Sequence, residues 1–94
     1  MSKTDALEGY LAGQFADADL AGQTDEQAAV DGLSKESLAA YREVLRQGRA
    51  VLSSPAVDWQ RIADYANRRF DGEADARRWL THIMDVLEQA LTTL

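Results

Sequence analysis

The chain has 94 residues, of which 46% are hydrophobic, and its formal net charge is −6 at pH 7. It contains no cysteine, which excludes disulfides, thiolate metal sites and thiol nucleophiles. Its apolar runs are far shorter than the ~18 residues that a membrane-spanning helix needs, and its first residues lack the apolar segment of a secretory signal. We therefore expect one cytoplasmic domain, residues 1–94, that is large enough to bury a hydrophobic core.

The hydrophobic spacing predicts an all-α fold, a compact bundle of about five helices. The first helix begins at Thr4 or Asp5, because Asp5 and Glu8 have the spacing of a capping box. Its apolar residues follow at helical intervals and form one stripe: Leu7, Tyr10, Leu11 and Phe15. Residues 16–22 are predicted to be a loop, whose low apolar content suggests mobility.

The second helix begins with another capping-box pattern, Thr24 and Gln27, and Ser34 is predicted to cap the third helix. The third helix extends to about Ser53. Its expected inward residues are Leu38, Tyr41, Leu45 and Leu52, with Val44 and Val51 beside them. Gly48 inside this helix costs about 1 kcal/mol relative to alanine, which either a close helix crossing or simple tolerance would explain.

Pro55 ends the third helix, and Asp58 is predicted to cap the fourth. The inward residues of the fourth helix should be Trp59, Ile62, Ala66 and Phe70. Asp71 and Gly72 form a turn before the fifth helix. Its predicted inward residues are Trp79 or Leu80, Ile83, Leu87, Ala90, Leu91 and Leu94.

The sequence offers little equipment for catalysis. His82 is the only histidine, and although Asp85 follows it by three residues, no serine or metal-ligand partner accompanies the pair. The segment that begins at Asp17 resembles the start of an EF-hand loop, but Ala21 and Ala28 occupy positions that must supply calcium ligands. We therefore expect no enzymatic activity, no catalytic residue, no cofactor and no metal.

The negative charge is confined to the first third of the chain. Residues 1–33 contain seven acids and one base, whereas residues 34–94 contain nine of each. Such a charge repels nucleic acid and anionic membranes and speeds association with a basic protein. The expected partner contacts are Asp17, Asp19, Asp25, Glu26 and Asp31, with Asp5 and Glu8 at the rim.

The arginines are the other charged groups that need a role. Arg42, Arg46 and Arg49 follow one another at helical spacing, which phosphate-binding proteins also show. Two further groups, Arg68-Arg69 and Arg77-Arg78, stand on either side of the last turn. Because acids stand close to each group, and the domain has no basic excess, internal pairing with the acidic N-terminal segment and with neighbouring helices is favoured over phosphate binding.

The chain resembles small immunity proteins of bacterial contact-dependent growth inhibition systems. The resemblance begins with the segment 7–15, which is rich in leucine, tyrosine and phenylalanine. It continues through the acidic loop at 17–19 and the glycine, helix cap and acidic helix start at 22–28, and it ends with the Ala-Arg-Arg-Trp-Leu segment, 76–80. Ala16, Ala18 and Leu20 stand in the loop where that family often carries a histidine and a tryptophan.

The resemblance implies a protein that binds and neutralises one cognate toxin domain, commonly a nuclease with a basic substrate cleft, in a one-to-one complex. Two other readings remain open at this point. One is an acidic helical regulator, or DNA mimic, that binds a nucleic-acid-binding protein. The other is a module that pairs with a second copy through apolar faces containing Ile83, Leu87 and Leu91, or Val44 and Val51.

Overall fold

The computed structural model describes residues 4–18 and 20–94. These residues form five helices and no strand, so the predicted all-α bundle is confirmed for this part of the chain. The helices are α1 (Asp5–Gln14), α2 (Asp25–Val30), α3 (Leu38–Ser53), α4 (Trp59–Ala66) and α5 (Glu73–Thr92). In the same residues, no helix is both long enough and apolar enough to span a membrane.

The longest helix, α5, forms the centre of the bundle. It packs against α2, α3 and α4, while α1 packs against α3 and α4 on the other side. Its buried side chains are Ala76, Leu80, Ile83, Met84 and Leu87. The prediction of Leu94 as an inward residue was wrong, because the helix ends before it and 49% of Leu94 is exposed.

The hydrophobic core of the single chain contains or contacts the apolar residues that were considered for pairing between copies. Ile83 and Leu87 are completely buried, and Val44 is 5% exposed. Val51 and Leu91 pack against the same cluster. The hypothesis of self-association through exposed faces of these residues therefore loses its support.

Helix starts were predicted well only where the cap is local in sequence. The capping box of α2 is confirmed, since Gln27 N donates to Thr24 Oγ1 at 3.1 Å and Thr24 N donates to Gln27 Oε1 at 2.9 Å. Asp58 caps α4 by accepting a hydrogen bond from Arg61 N at 3.3 Å.

The predicted cap of α3 was wrong. Ser34 belongs to a separate turn in which its backbone N donates to Ser37 Oγ at 2.9 Å, and the helix begins only at Leu38. Two serines that bond each other and the nearby backbone compete with helix formation, which delays the helix start.

The predicted capping box of α1 was also wrong. The N-cap residue is Thr4, and its hydroxyl donates to Glu8 Oε2 at 2.7 Å instead of accepting from the backbone. The third backbone N–H of the helix, that of Leu7, instead donates to Gln47 Oε1 at 2.9 Å. A side chain of α3 thus caps α1, an arrangement that no local pattern contains.

The buried face of α3 is rotated from the predicted one. Val44, Gln47 and Gly48 are buried, whereas Tyr41 and Leu45 are only partly covered. Gln47 is 4% exposed, and its amide bonds to α1 explain why a polar residue lies inward. The spacing of apolar residues does not indicate this face, because a glutamine and a glycine occupy its centre.

Gly48 marks the close approach of α3 to α5. A Cβ atom at this position would overlap the Met84 side chain, which is completely buried. Of the two explanations that the sequence allowed, the close helix crossing is the one that the structure supports.

We expect Gly48→Ala to lower the free energy of unfolding by about 1–3 kcal/mol, because the added methyl group forces Met84 out of its packed position. Urea denaturation followed by circular dichroism measures the change.

Gly13→Ala is the matched control. A Cβ at Gly13 meets nothing within 4 Å, so alanine should raise the stability by up to about 1 kcal/mol through its helix propensity. Equal or greater stability of Gly48→Ala would contradict the packing explanation.

Candidate protein-binding surface

The carboxylate of Asp25, at the start of α2, joins three separate segments of the chain. Its Oδ1 atom accepts hydrogen bonds from Arg68 Nη2 at 2.6 Å and Nε at 3.2 Å. Its Oδ2 atom accepts one from Trp79 Nε1 at 2.9 Å. The helix dipole also favours a negative charge at the first position of α2. Asp25 therefore holds α2 against α5 and against the connection between α4 and α5.

Arg68 extends this junction to the end of α1. Its Nη1 atom donates to the backbone carbonyls of Phe15, Ala66 and Asn67 at 3.3, 3.2 and 3.0 Å. Its guanidinium also lies 5.9 Å from the centre of the Phe15 ring. Asn67 adopts a left-handed backbone conformation with φ of 53°, which ends α4 and turns the chain toward Asp25.

The aromatic side chains of the core continue from this junction. Phe15 is completely buried and meets Trp79 edge to face, with ring centres 5.1 Å apart. Tyr10 contacts Phe15 at 5.6 Å, and Phe70 contacts Trp79 at 5.5 Å. The Asp25 junction thus fixes the indole ring on which the aromatic cluster is arranged.

Asp25 remains ionised because its hydrogen bonds outweigh its partial burial. Burial raises the pKa of Asp25, but the hydrogen bonds from Arg68 and Trp79, together with the Arg68 charge, bring it below its ordinary value. Asp25 was predicted from the sequence to contact a partner. The structure places its carboxylate in internal bonds, with 30% of the side chain exposed.

Glu26, the next predicted contact, faces α5. Glu26 Oε1 lies 3.0 Å from His82 Nε2, and both side chains are more than half exposed. The hydrogen bond from His82 lowers the pKa of Glu26. His82 therefore lies on the surface, and its carboxylate neighbour is Glu26 and not Asp85.

The loop between α1 and α2 is held by its own backbone bonds and by α4. Ala18 N donates to Phe15 O at 3.2 Å, and Gln23 N donates to Ala18 O at 2.9 Å. Asn67 Nδ2 donates to Ala16 O at 3.2 Å. Ala18 is buried in the core, whereas Leu20 is 89% exposed. Leu20 is thus exposed on a loop whose neighbouring residues are held by hydrogen bonds. The low apolar content of the loop gave no indication of these bonds.

The remaining acids of the first third divide into paired and unpaired groups. Glu8 is 17% exposed and lies 3.1 Å from Arg61 Nη2. Asp5, Asp17 and Asp31 are exposed, and none of them forms an ion pair with a basic side chain that the structure describes. Asp19 lies outside the described residues.

The prediction that the arginines pair internally, some of them with the acidic N-terminal segment, is confirmed for several of them. Arg68 and Arg61 both pair with acids of the first third, and Arg49 pairs with Asp85 of α5 at 2.8 Å. The sequence indicated an ion pair for Arg68 with the acidic N-terminal segment, but it did not indicate which acid Arg68 would bind. Its partner more than forty positions away had no local signal.

A scan against models of known protein families, a search of curated proteins and a search of solved structures each found no match. Within the described residues, no group of three or more histidine or acidic side chains could hold a metal ion. The membership of an immunity-protein family remains a prediction from the sequence.

We expect Asp25→Asn to lower the free energy of unfolding by about 1–3 kcal/mol at pH 7, because the charged hydrogen bonds between Arg68 and the Asp25 carboxylate are lost. The stabilisation by Asp25 is present above the pKa of the unfolded carboxyl group, about 3.9, and is lost as the pH falls through the lower native value. The difference between wild type and variant should therefore shrink below about pH 4. Urea denaturation at several pH values measures it.

Asp31→Asn is the control for this prediction. The Asp31 carboxylate is exposed and forms no ion pair with a described residue, so its loss should change the stability by less than about 0.5 kcal/mol. A stability difference for Asp25→Asn that is negligible at pH 7, or that persists unchanged at pH 3, would show that the ionised junction does not stabilise the fold.

Proposed function

We propose that this protein is a non-enzymatic cytoplasmic immunity protein that binds one cognate toxin domain and neutralises it. The toxin would be a basic domain, in particular a nuclease domain of a contact-dependent inhibition effector. The observation that carries the proposal is the unpaired negative charge at Asp5, Asp17 and Asp31, within an N-terminal third whose net charge is −6. Folding does not neutralise these groups with the basic side chains that the structure describes.

Two physical contributions support tight binding by this region. Exposed carboxylates attract a basic protein over a distance and speed its association. Leu20, which is 89% exposed beside this charge, offers an apolar side chain whose burial is worth about 1.5–3 kcal/mol. The complex would thus combine electrostatic attraction with a desolvated contact on the loop between α1 and α2.

The internal ion pairs change which acids we expect to contact the partner directly. Asp17, Asp31 and Glu26 are the exposed acids through which we expect direct binding, and Asp19 stays in the proposed set on sequence grounds. Asp25 would act mainly by holding α2, because Arg68 and Trp79 already occupy its oxygens. The resemblance to immunity proteins supplies the class of partner.

The test is a binding titration against the C-terminal domain encoded immediately upstream, at about 50 and about 500 mM salt. We expect nanomolar affinity or tighter, with higher salt slowing association more than it speeds dissociation. Failure to bind this domain, with capture of a nucleic-acid-binding protein instead, would favour the acidic regulator or DNA mimic.

Charge variants test the surface itself. Asp17→Asn and Asp31→Asn should each slow association about two- to tenfold, because they remove exposed charge that faces the partner. Asp64→Asn makes the same change in net charge at an exposed position on α4 and should have little effect. Equal effects of all three variants would assign the attraction to net charge and not to this surface.

A further inference from the structure

An apolar groove runs along the surface between α1 and α3. Its apolar lining residues are Ala6, Gly9, Tyr10, Ala40, Tyr41 and Val44. Tyr10 and Val44 are buried at its base, while Gly9 and Ala40 are exposed. Among the described residues that line it, the two charged ones are both acids, Asp5 and Glu43.

The glycines of α1 are not explained by this chain's own packing. Gly9 and Gly13 both lie inside a ten-residue helix, where glycine costs about 1 kcal/mol relative to alanine. Neither has a positive φ, and a Cβ atom at either would meet nothing within 4 Å. Gly48 differs, because Met84 fills the space beside it.

The two glycines lie four residues apart and therefore face the same side of α1. Without side chains there, a second helix can approach the α1 backbone closely, since the distance between packed helices depends on the side chains at their contact. The glycines thus suit contact with another molecule, which the isolated fold does not require.

The charge at one end of the groove is negative. Gln47 Nε2 donates to Glu43 Oε2 at 2.9 Å and to Asp5 Oδ1 at 3.3 Å, which brings the two carboxylates together. Glu43 also pairs with Arg46. Asp5 has no such basic partner among the described residues and carries the unpaired charge at this end.

Asp31 does not line the groove but adjoins its other end, which Gln14 and Tyr41 line. Its backbone carbonyl accepts hydrogen bonds from Tyr41 Oη and from Gln14 Nε2, both at 2.6 Å. Burial and the nearby Asp31 charge raise the pKa of Tyr41. An occupant of the groove would therefore meet negative charge at both ends and an apolar surface between them.

We propose that the groove between α1 and α3 binds a basic amphipathic helix of the protein partner, with lysine or arginine near both ends of its contacting face. The inference rests on the proposed function insofar as that partner is the toxin domain. A helix fits because α1 and α3 line the two sides of an apolar groove, the kind of surface in which apolar helix faces bind. The ten residues of α1 span about 15 Å, so the contact covers about three helical turns.

The test adds bulk to the groove without disturbing the fold. Gly9→Leu should keep or raise the urea midpoint, because Gly9 faces open space and leucine favours helix. It should also weaken binding of the upstream-encoded toxin domain at least tenfold, because the side chain holds the partner helix away. Ala74→Leu, which adds leucine at an exposed position on α5 outside the groove, is the matched control and should bind normally.

If wild type and Gly9→Leu bind the toxin domain equally well, the groove proposal is overturned while the proposed function stands. If wild type does not bind that domain, the proposed function fails, and a second probe still tests the groove.

This probe is an alanine-rich peptide, cross-linked as a helix, with lysines near both ends, titrated into the isotope-labelled protein. Amide shifts confined to residues of α1 and α3, and abolished by Gly9→Leu, support the groove. No shifts, or shifts elsewhere, overturn it.

Discussion

The arrangement of this small bundle depends on one partly buried ion pair, in which the Asp25 carboxylate receives hydrogen bonds from Arg68 and Trp79. The shortest helix, α2, has six residues and cannot be stable by itself. Asp25 fixes its first turn to α5, and Arg68 carries the connection onward to the carbonyl at the end of α1. Because both charges keep several hydrogen bonds, the cost of removing them from water is offset.

The acidic residues of the first third divide into those that form internal ion pairs and those that stay exposed without one. Asp25 and Glu8 are drawn into pairs with arginines that follow much later in the sequence. Asp17 and Asp31 stay exposed, and Leu20 in the loop that contains Asp17 is exposed as well. Ion pairs with arginines thus involve Asp25 and Glu8, whereas Asp17 and Asp31 form no ion pair with a described basic side chain.

The glycines inside helices differ in what surrounds them. Gly48 lies where α3 and α5 meet, and its missing side chain makes room for Met84. A Cβ atom at Gly9 or at Gly13 would meet nothing within 4 Å, and Gly9 lines the apolar groove between α1 and α3. The glycine at position 48 thus allows close packing, whereas the glycines of α1 lower the stability of their helix without a packing contact inside the described chain.

The sequence by itself determined the helical class, the approximate helices, the caps at Thr24 and Asp58, and the excess of negative charge, because each of these depends on residues close together in the chain. Tertiary structure decided which face of α3 is buried, how α1 is capped and which acids are internally paired. Gln47 and Leu7 are forty positions apart, and Asp25 and Arg68 forty-three. Hydrophobic spacing carries no information about such polar contacts, since they form only after the helices have packed.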